Sequence, residues 1–210
     1  MPTNFPTSVD NFTNPTANDS LNLPSHSTQH ANANDAIEAV EDYLLNGAGK
    51  AGLVLLKTQT IGSAVSSVVV TNAFNATYEN YKILISGGAG SGSASLHLKL
   101  GSTATGYKWG IGYIAYATGN PTSYSSSTSG TSFLDCAAMS TASITCNIDL
   151  HSPFASKQTM MITQYAYTDV GSVWGGGTQQ STTSFTDFTF TTGSGTMTGG
   201  TIYVYGFKAA

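Results

Sequence analysis

The chain has 210 residues, of which 40% are hydrophobic and only 9% charged, enough to bury one good-sized core and hardly two. Its solubility must rest on hydroxyls and amides, because Ser, Thr, Asn, Gly and Tyr take the place that charged residues fill in an average domain. All seven basic residues are Lys and the net charge is -4, so the bidentate Arg fork is missing and phosphate is repelled, which excludes nucleic acid as a partner.

The charge is also unevenly placed. Asp10, Asp19, Asp35, Glu38, Glu41 and Asp42 precede the first lysine, Lys50, whereas five acids and all seven lysines follow, so an acidic front end and a near-neutral body are expected to be separate modules. No Lys/Arg plus apolar run of a signal peptide opens the chain and no window approaches 18 apolar residues, which predicts a protein made and kept in solution with no membrane partner.

Residues 1–25, MPTNFPTSVDNFTNPTANDSLNLPS, hold four prolines and the aperiodic apolar residues Phe5, Val9, Phe12, Leu21 and Leu23. This composition predicts an extended arm, either a solvated tail or a peptide that orders on a partner with those five side chains as anchors; so many apolar residues favour the second reading.

Over residues 26–46, His26, His30, Ala33, Ile37, Val40 and Leu44 recur at spacings of 4, 3, 4, 3 and 4, the a/d pattern of a coiled coil. Gly47, Gly49 and Gly52 then supply a stop and a hinge over 47–52. One helix about 30 Å long with a single narrow apolar stripe is marginal in water, so it needs a partner. Packing on its own β-domain is one candidate; self-association is the other. Ile37 at a and Val40 at d favour more than two strands, giving a homotrimer with Ala33, Ile37, Val40 and Leu44 as its seam. In a trimer His26 and His30 would each form a ring of three imidazoles, open to a metal or an anion, although polar seam residues that merely fix register are the simpler reading and no metal ligand is assigned.

Residues 53–210 change period. In SLHLKLG, Leu96, Leu98 and Leu100 alternate with Ser95, His97 and Lys99, the signature of a half-buried strand. LVLLKTQTI, SSVVVTN, YKILIS, YKWGIGYIAYA, SITCNIDLH, TMMITQYAYT, SFTDFTFTT and TIYVYGFK read the same way, about nine strands in all. The predicted fold class is mainly β, an antiparallel β-sandwich of jelly-roll type preceded by the extended arm and one short coiled-coil helix, with a closed barrel as the alternative.

The search for chemistry returns little. GGAGSGS, residues 87–93, leads into a strand and matches no phosphate-binding loop, so it is expected to be a flexible turn. No G-x-S-x-G, H-E-x-x-H or C-x-x-C occurs. Glu79, Asp135, Asp149, Asp169 and Asp187 are scattered singly, so a glycosidase-like carboxylate pair would depend on the fold joining two of them. His97 and His151 occupy outward phases and are expected to be solvated. Cys136 is expected in a loop and Cys146 in a core, with a disulfide left open. No catalytic residue and no cofactor is assigned. Trp109, Tyr113, Tyr116, Tyr165, Tyr167, Trp174, Tyr203, Tyr205 and Phe207 put bulk on both faces of several strands, so a subunit or a ligand is expected to cover the second face.

Two stretches resemble virion proteins of tailed bacteriophages. FPTSVDNFTNPTANDSLNLPSHSTQHANANDAIEAVE is similar to a segment found at the front of phage structural and fibre proteins. The region from NATYENYKILISG through NIDLHSPFASKQTMMI to GSVWGGGTQQSTTSFTDFTFTTGSGTMTGGTIYVYGFK resembles the terminal β-domain of phage fibre and virion proteins; Asn120 to Thr131, expected to be a loop, lie outside the resemblance. The resemblance implies a non-enzymatic virion protein, trimeric, either a short fibre or a capsid-decorating protein, held to other virion proteins by residues 1–25. A receptor module for a host surface glycan is the alternative reading, and a small carbohydrate-active enzyme the third.

Overall fold

A computed structural model describes residues 25–46, 52–119, 121–167 and 170–208. The predicted arm with its anchors Phe5, Val9, Phe12, Leu21 and Leu23, and nearly all of the predicted hinge, lie outside the described residues. The chain divides into a helical unit before Leu53 and a β-unit from Leu53 to Lys208.

The helix, α1, runs from His26 to Asn46, the span expected from the sequence. Ser25 caps it: its Oγ accepts from the Thr28 amide at 3.2 Å, while its carbonyl accepts the Gln29 amide at 3.1 Å and so begins the helical ladder. No acidic residue in the first turn and no basic residue in the last complements the helix dipole.

The β-unit is built from fourteen strands: β1 (Gly52–Thr60), β2 (Ser67–Val70), β3 (Asn80–Ser86), β4 (Ala89–Gly90), β5 (Ala94–Leu100), β6 (Tyr107–Ala115), β7 (Pro121–Gly130), β8 (Phe133–Met139), β9 (Ile144–His151), β10 (Thr159–Tyr167), β11 (Gly171–Gln179), β12 (Phe188–Thr192), β13 (Met197–Thr198) and β14 (Thr201–Lys208). All nine strands expected from the sequence are present, and five more were not anticipated. Residues 121–130 are not the expected loop but a strand on β6, held by its ladder to that neighbour; GGAGSGS contains β4, which pairs with β13. Cys136 is not in a loop but inside β8.

Every strand pair for which a register is seen is antiparallel. Two layers meet at β9. One has the order β1-β14-β3-β9-β10-β11-β6-β7, the other β2-β12-β5-β8-β9. The first part of β9 pairs with β8, Cys146 opposite Ala137, and the second part lies between β3 and β10, Ile148 opposite both Ile83 and Thr163. A strand that serves two layers makes a corner and closes one side of a β-sandwich.

Alternation decides what fills it. β5 buries Ala94, Leu96, Leu98 and Leu100 and turns Ser95, His97 and Lys99 outward; β9 buries Ile144, Cys146, Ile148 and Leu150. Each fully buried Leu or Ile contributes about 1.5–3 kcal/mol. Aromatic rings tie the layers together: Phe74 packs at 4.8 Å on Tyr81 of β3 and at 5.7 Å on Phe188 of β12, and Tyr107 of β6 meets Phe133 of β8 edge-on at 4.9 Å.

Two of these tyrosines also pin loops. The Tyr81 hydroxyl accepts from the Asn75 amide at 2.9 Å and donates to the Asn75 carbonyl at 2.7 Å; Tyr107 accepts from the Leu100 amide at 2.8 Å and donates to the Thr103 carbonyl at 3.2 Å. Burial pushes both phenols up, Tyr107 to about 12, so both stay protonated donors.

Glycines in β11 have a packing cause. A Cβ on Gly177 would lie 2.5 Å from the Lys108 carbonyl and 3.0 Å from the Phe133 ring, and one on Gly175 would lie 2.4 Å from the Gly110 carbonyl. Only hydrogen fits where β11 crosses the core beside β6.

Candidate functional site

Three surfaces of the described residues carry candidate chemistry, two of them pointed to by the sequence. The first is the helix seam. Ile37 is 56%, Val40 41% and Leu44 62% exposed, and Ala33 and His30 are exposed too. The half-covered positions are instead Gln29, Asn32, Ala36, Ala39 and Tyr43, again at spacings of 3 and 4 but on the neighbouring stripe. Among the described residues, the most apolar stripe of the helix is thus its exposed one. The His26 side chain lies outside the described residues, so the expected imidazole ring cannot be placed.

The second surface is the outer face of the β1–β7 layer. Across it one register row reads Tyr205, Lys82, Asp149, Ile162, Gly176, Gly110 and Ser126. Lys82 Nζ reaches Asp149 Oδ1 at 3.0 Å within this row. Around that ion pair the face is apolar: Leu53, Leu55, Met160, Ile162, Trp174 and Phe207 are exposed, and Tyr203 stacks on Tyr205 at 6.4 Å. The expectation of bulk on both faces holds for β14, whose Ile202 and Val204 point into the core while Tyr203, Tyr205 and Phe207 point out. It does not hold for every aromatic, since Trp109 and Tyr165 are core residues.

The third is a cleft of about 210 Å3 between residues of the two layers, lined by Tyr113, Tyr165, Tyr167, Asp135, Ser95, Ser125 and Val170 among others. The fold builds it with an irregularity. Leu96 pairs with Ala137 and Leu98 with Phe133, so Leu134, Asp135 and Cys136 oppose His97 alone. This bulge gives Asp135 a φ of 51°, the left-handed region that a non-glycine residue rarely adopts.

The remaining polar groups have local partners. Glu79 pairs with Lys157 and accepts from Ser152; Asp187 accepts from the Asn72 amide at 2.8 Å; Asp169 lies outside the described residues. Hydrogen bonds from Lys157 and Ser152 hold the Glu79 carboxyl below its usual range. His151 is not simply solvated, since its Nδ1 lies 3.1 Å from Asn80 Oδ1. His97 is likewise half-buried, with Nε2 3.4 Å from Ser95 Oγ; burial lowers its pKa against the opposing pull of Asp135. Cys136 and Cys146 are both buried free thiols, donating to the carbonyls of Leu96 and Ile83. Among the described residues no three His, Cys, Asp or Glu side chains converge as a metal site, and no helix is long and apolar enough to cross a membrane.

The stripe of Ala33, Ile37, Val40 and Leu44 could be read from the sequence because helical spacing is local. The cleft was missed, because its residues come from β5, β6, β7, β8, β10, β11 and the turn before β11; the only local signal was FLDCAAM, an acid inside an otherwise apolar run. Comparison with known protein families, with curated proteins and with solved structures finds no match.

Proposed function

We propose that this chain is a non-enzymatic structural protein of a bacteriophage virion, a homotrimeric short fibre or capsid-decorating protein attached through residues 1–25 to other virion proteins. The observation that carries this reading is the open seam. Ala33, Ile37, Val40 and Leu44 lie in the register of a coiled coil on a capped helix of 21 residues, and within the helix as described each of them is exposed. Burying the three larger side chains at about 1.5–3 kcal/mol each gives such a helix the partner it lacks.

So short a seam cannot hold an oligomer by itself. The apolar outer face of the β1–β7 layer supplies the second contact, with Tyr203, Tyr205, Ile162 and Phe207 suited to meet another copy. The hydroxyl-rich turns and the strong depletion of charge fit a small projecting head that is rigid without being sticky.

Light scattering on the full chain tests the assembly: three times 21.7 kDa is expected, and a monomer at micromolar concentration would overturn it. Attachment is tested separately. Deleting residues 1–25 is expected to leave a folded trimer that no longer enters particles, and reconstruction of whole particles then distinguishes head from tail.

A glycan-binding role is the second reading, favoured by one feature. The Trp174 ring lies over Gly112 beside Ser125 and Ser126, a flat apolar plate rimmed by hydroxyls, the arrangement on which a sugar ring stacks. Saccharide titrations followed by Trp emission test it, with an unchanged spectrum counting against it.

A further inference from the structure

We propose that the cleft at the bulge of β8 binds a small organic ammonium group, with the Asp135 carboxylate as counter-ion and the rings of Tyr113, Tyr165 and Tyr167 as its walls. The proposal rests on the β-unit alone and stands or falls independently of the trimer.

The walls come from consecutive strands in register. Tyr113 of β6 lies opposite Val173 of β11, and Val173 lies opposite Tyr165 of β10; two residues further along, Tyr167 lies opposite Gly171. Gly171 leaves the room this needs, since a Cβ there would sit 2.5 Å from the Tyr113 ring. Asp135 enters from the other layer because the bulge turns it out of the ladder. Neither of the two ion pairs among the described residues involves it. A backbone held at positive φ to place a charge in a cleft is an arrangement found where the charge is used.

Hydrogen-bond direction and charge select the ligand. The Tyr113 hydroxyl donates to the Val170 carbonyl at 2.9 Å and the Tyr165 hydroxyl to the Asp135 carbonyl at 3.0 Å, so both protons are committed to backbone. What these two tyrosines still offer to the cleft is phenol lone pairs and ring faces, beside the Asp135 carboxylate. His97, the nearest titratable base, is kept neutral by burial at neutral pH. Ser95, Ser125 and the Tyr167 hydroxyl also line the cleft and could serve a saccharide, so the choice of ligand rests on charge. Asp135 is the one charged residue in the lining: an anion would be repelled by it, and a cation meets both the carboxylate and the ring quadrupoles. At about 210 Å3 the space is smaller than the roughly 300–1,000 Å3 that takes drug-sized ligands, and it suits a single ammonium head.

The test uses the full chain and three probes: choline, its uncharged isostere 3,3-dimethylbutanol, and glucose. Calorimetry or saturation-transfer NMR is expected to show saturable choline binding, with the alcohol at least about tenfold weaker and glucose undetectable. Asp135→Asn is expected to abolish the preference for choline over the alcohol while leaving the melting temperature close to that of the parent. Should that variant not fold, Tyr167→Leu, at the half-exposed end of β10, is expected to weaken choline binding by about tenfold. The proposal is overturned by equal binding of choline and the alcohol, by preferential binding of glucose, by choline affinity unchanged in Asp135→Asn, or by no choline binding up to tens of millimolar.

Discussion

The indole of Trp174 lies across Gly112 of the neighbouring strand, so close that a Cβ on Gly112 would fall 2.6 Å from the ring. Trp174 stands on the outer face and is exposed, and what a Cβ on Gly112 would meet is the far end of its side chain; Gly177, on the same strand, meets backbone and the buried Phe133 ring. Gly112→Ala is therefore expected to tilt the indole away from the sheet and red-shift Trp emission at small cost in stability. Gly177→Ala is expected to cost about 1–3 kcal/mol, because nothing around it can yield. Thermal melts of the two variants check the contrast; equal losses would show that Trp174 is as firmly held as the core.

Ile37→Asp places three carboxylates side by side in the proposed trimer, an uncompensated burial on the order of 3–5 kcal/mol. Circular dichroism is expected to lose helical signal while β signal persists, and light scattering shows whether the heads remain associated. A variant with full helix content would mean that the seam faces water in the assembled protein.

His97 makes stability depend on pH. Burial lowers its folded pKa from the model-peptide value of 6.5, so the unfolded chain binds a proton more readily than the folded one. Its contribution is intact above about 6.5 and is lost as pH falls below that value, stability rising with pH through the window. The groups facing it are Ser95, Thr191 on β12 and Asp135 across the bulge. His97→Gln is expected to flatten the melting temperature between about pH 5 and 7. A profile as steep as the parent's would assign that slope to other groups.

Cys136 and Cys146 are expected to be inert in the folded protein. Burial is the main cause raising both thiols, well above the usual range for Cys136, and the thiolate is the reactive form. A thiol reagent should label neither residue until denaturant is added, and then both. Rapid labelling of the native chain would show that the layers part at β9.

Strands with branched or aromatic residues on one face announce themselves in the sequence; those built from small residues do not. β11 gives no strand signal because Gly175, Gly176 and Gly177 supply no alternation, yet Gly175 and Gly177 are what let it pass beside β6. β7 is nearly all Ser and Thr, and its place depends on hydrogen bonds to β6 that no local pattern predicts. β8, FLDCAAM, hides behind small residues and a bulge. The seam was legible for the opposite reason, its spacing being contained in one helix. Asp135 gained its neighbours only when β8 met β10 and β6.

The position of β14 sets when the β-unit can close. It lies between β1 and β3, and β12 pairs Phe188 with Val70 across most of the β-unit. During synthesis β1 and β3 must therefore wait, unpaired on these edges, until β14 has been made, and so many distant pairings make closure slow. The helix, made before these strands and local in its bonds, has no such delay. In the proposed trimer its apolar stripe would then meet other copies while the heads are still open, an order of events in which association precedes, and can template, the folding of the β-unit.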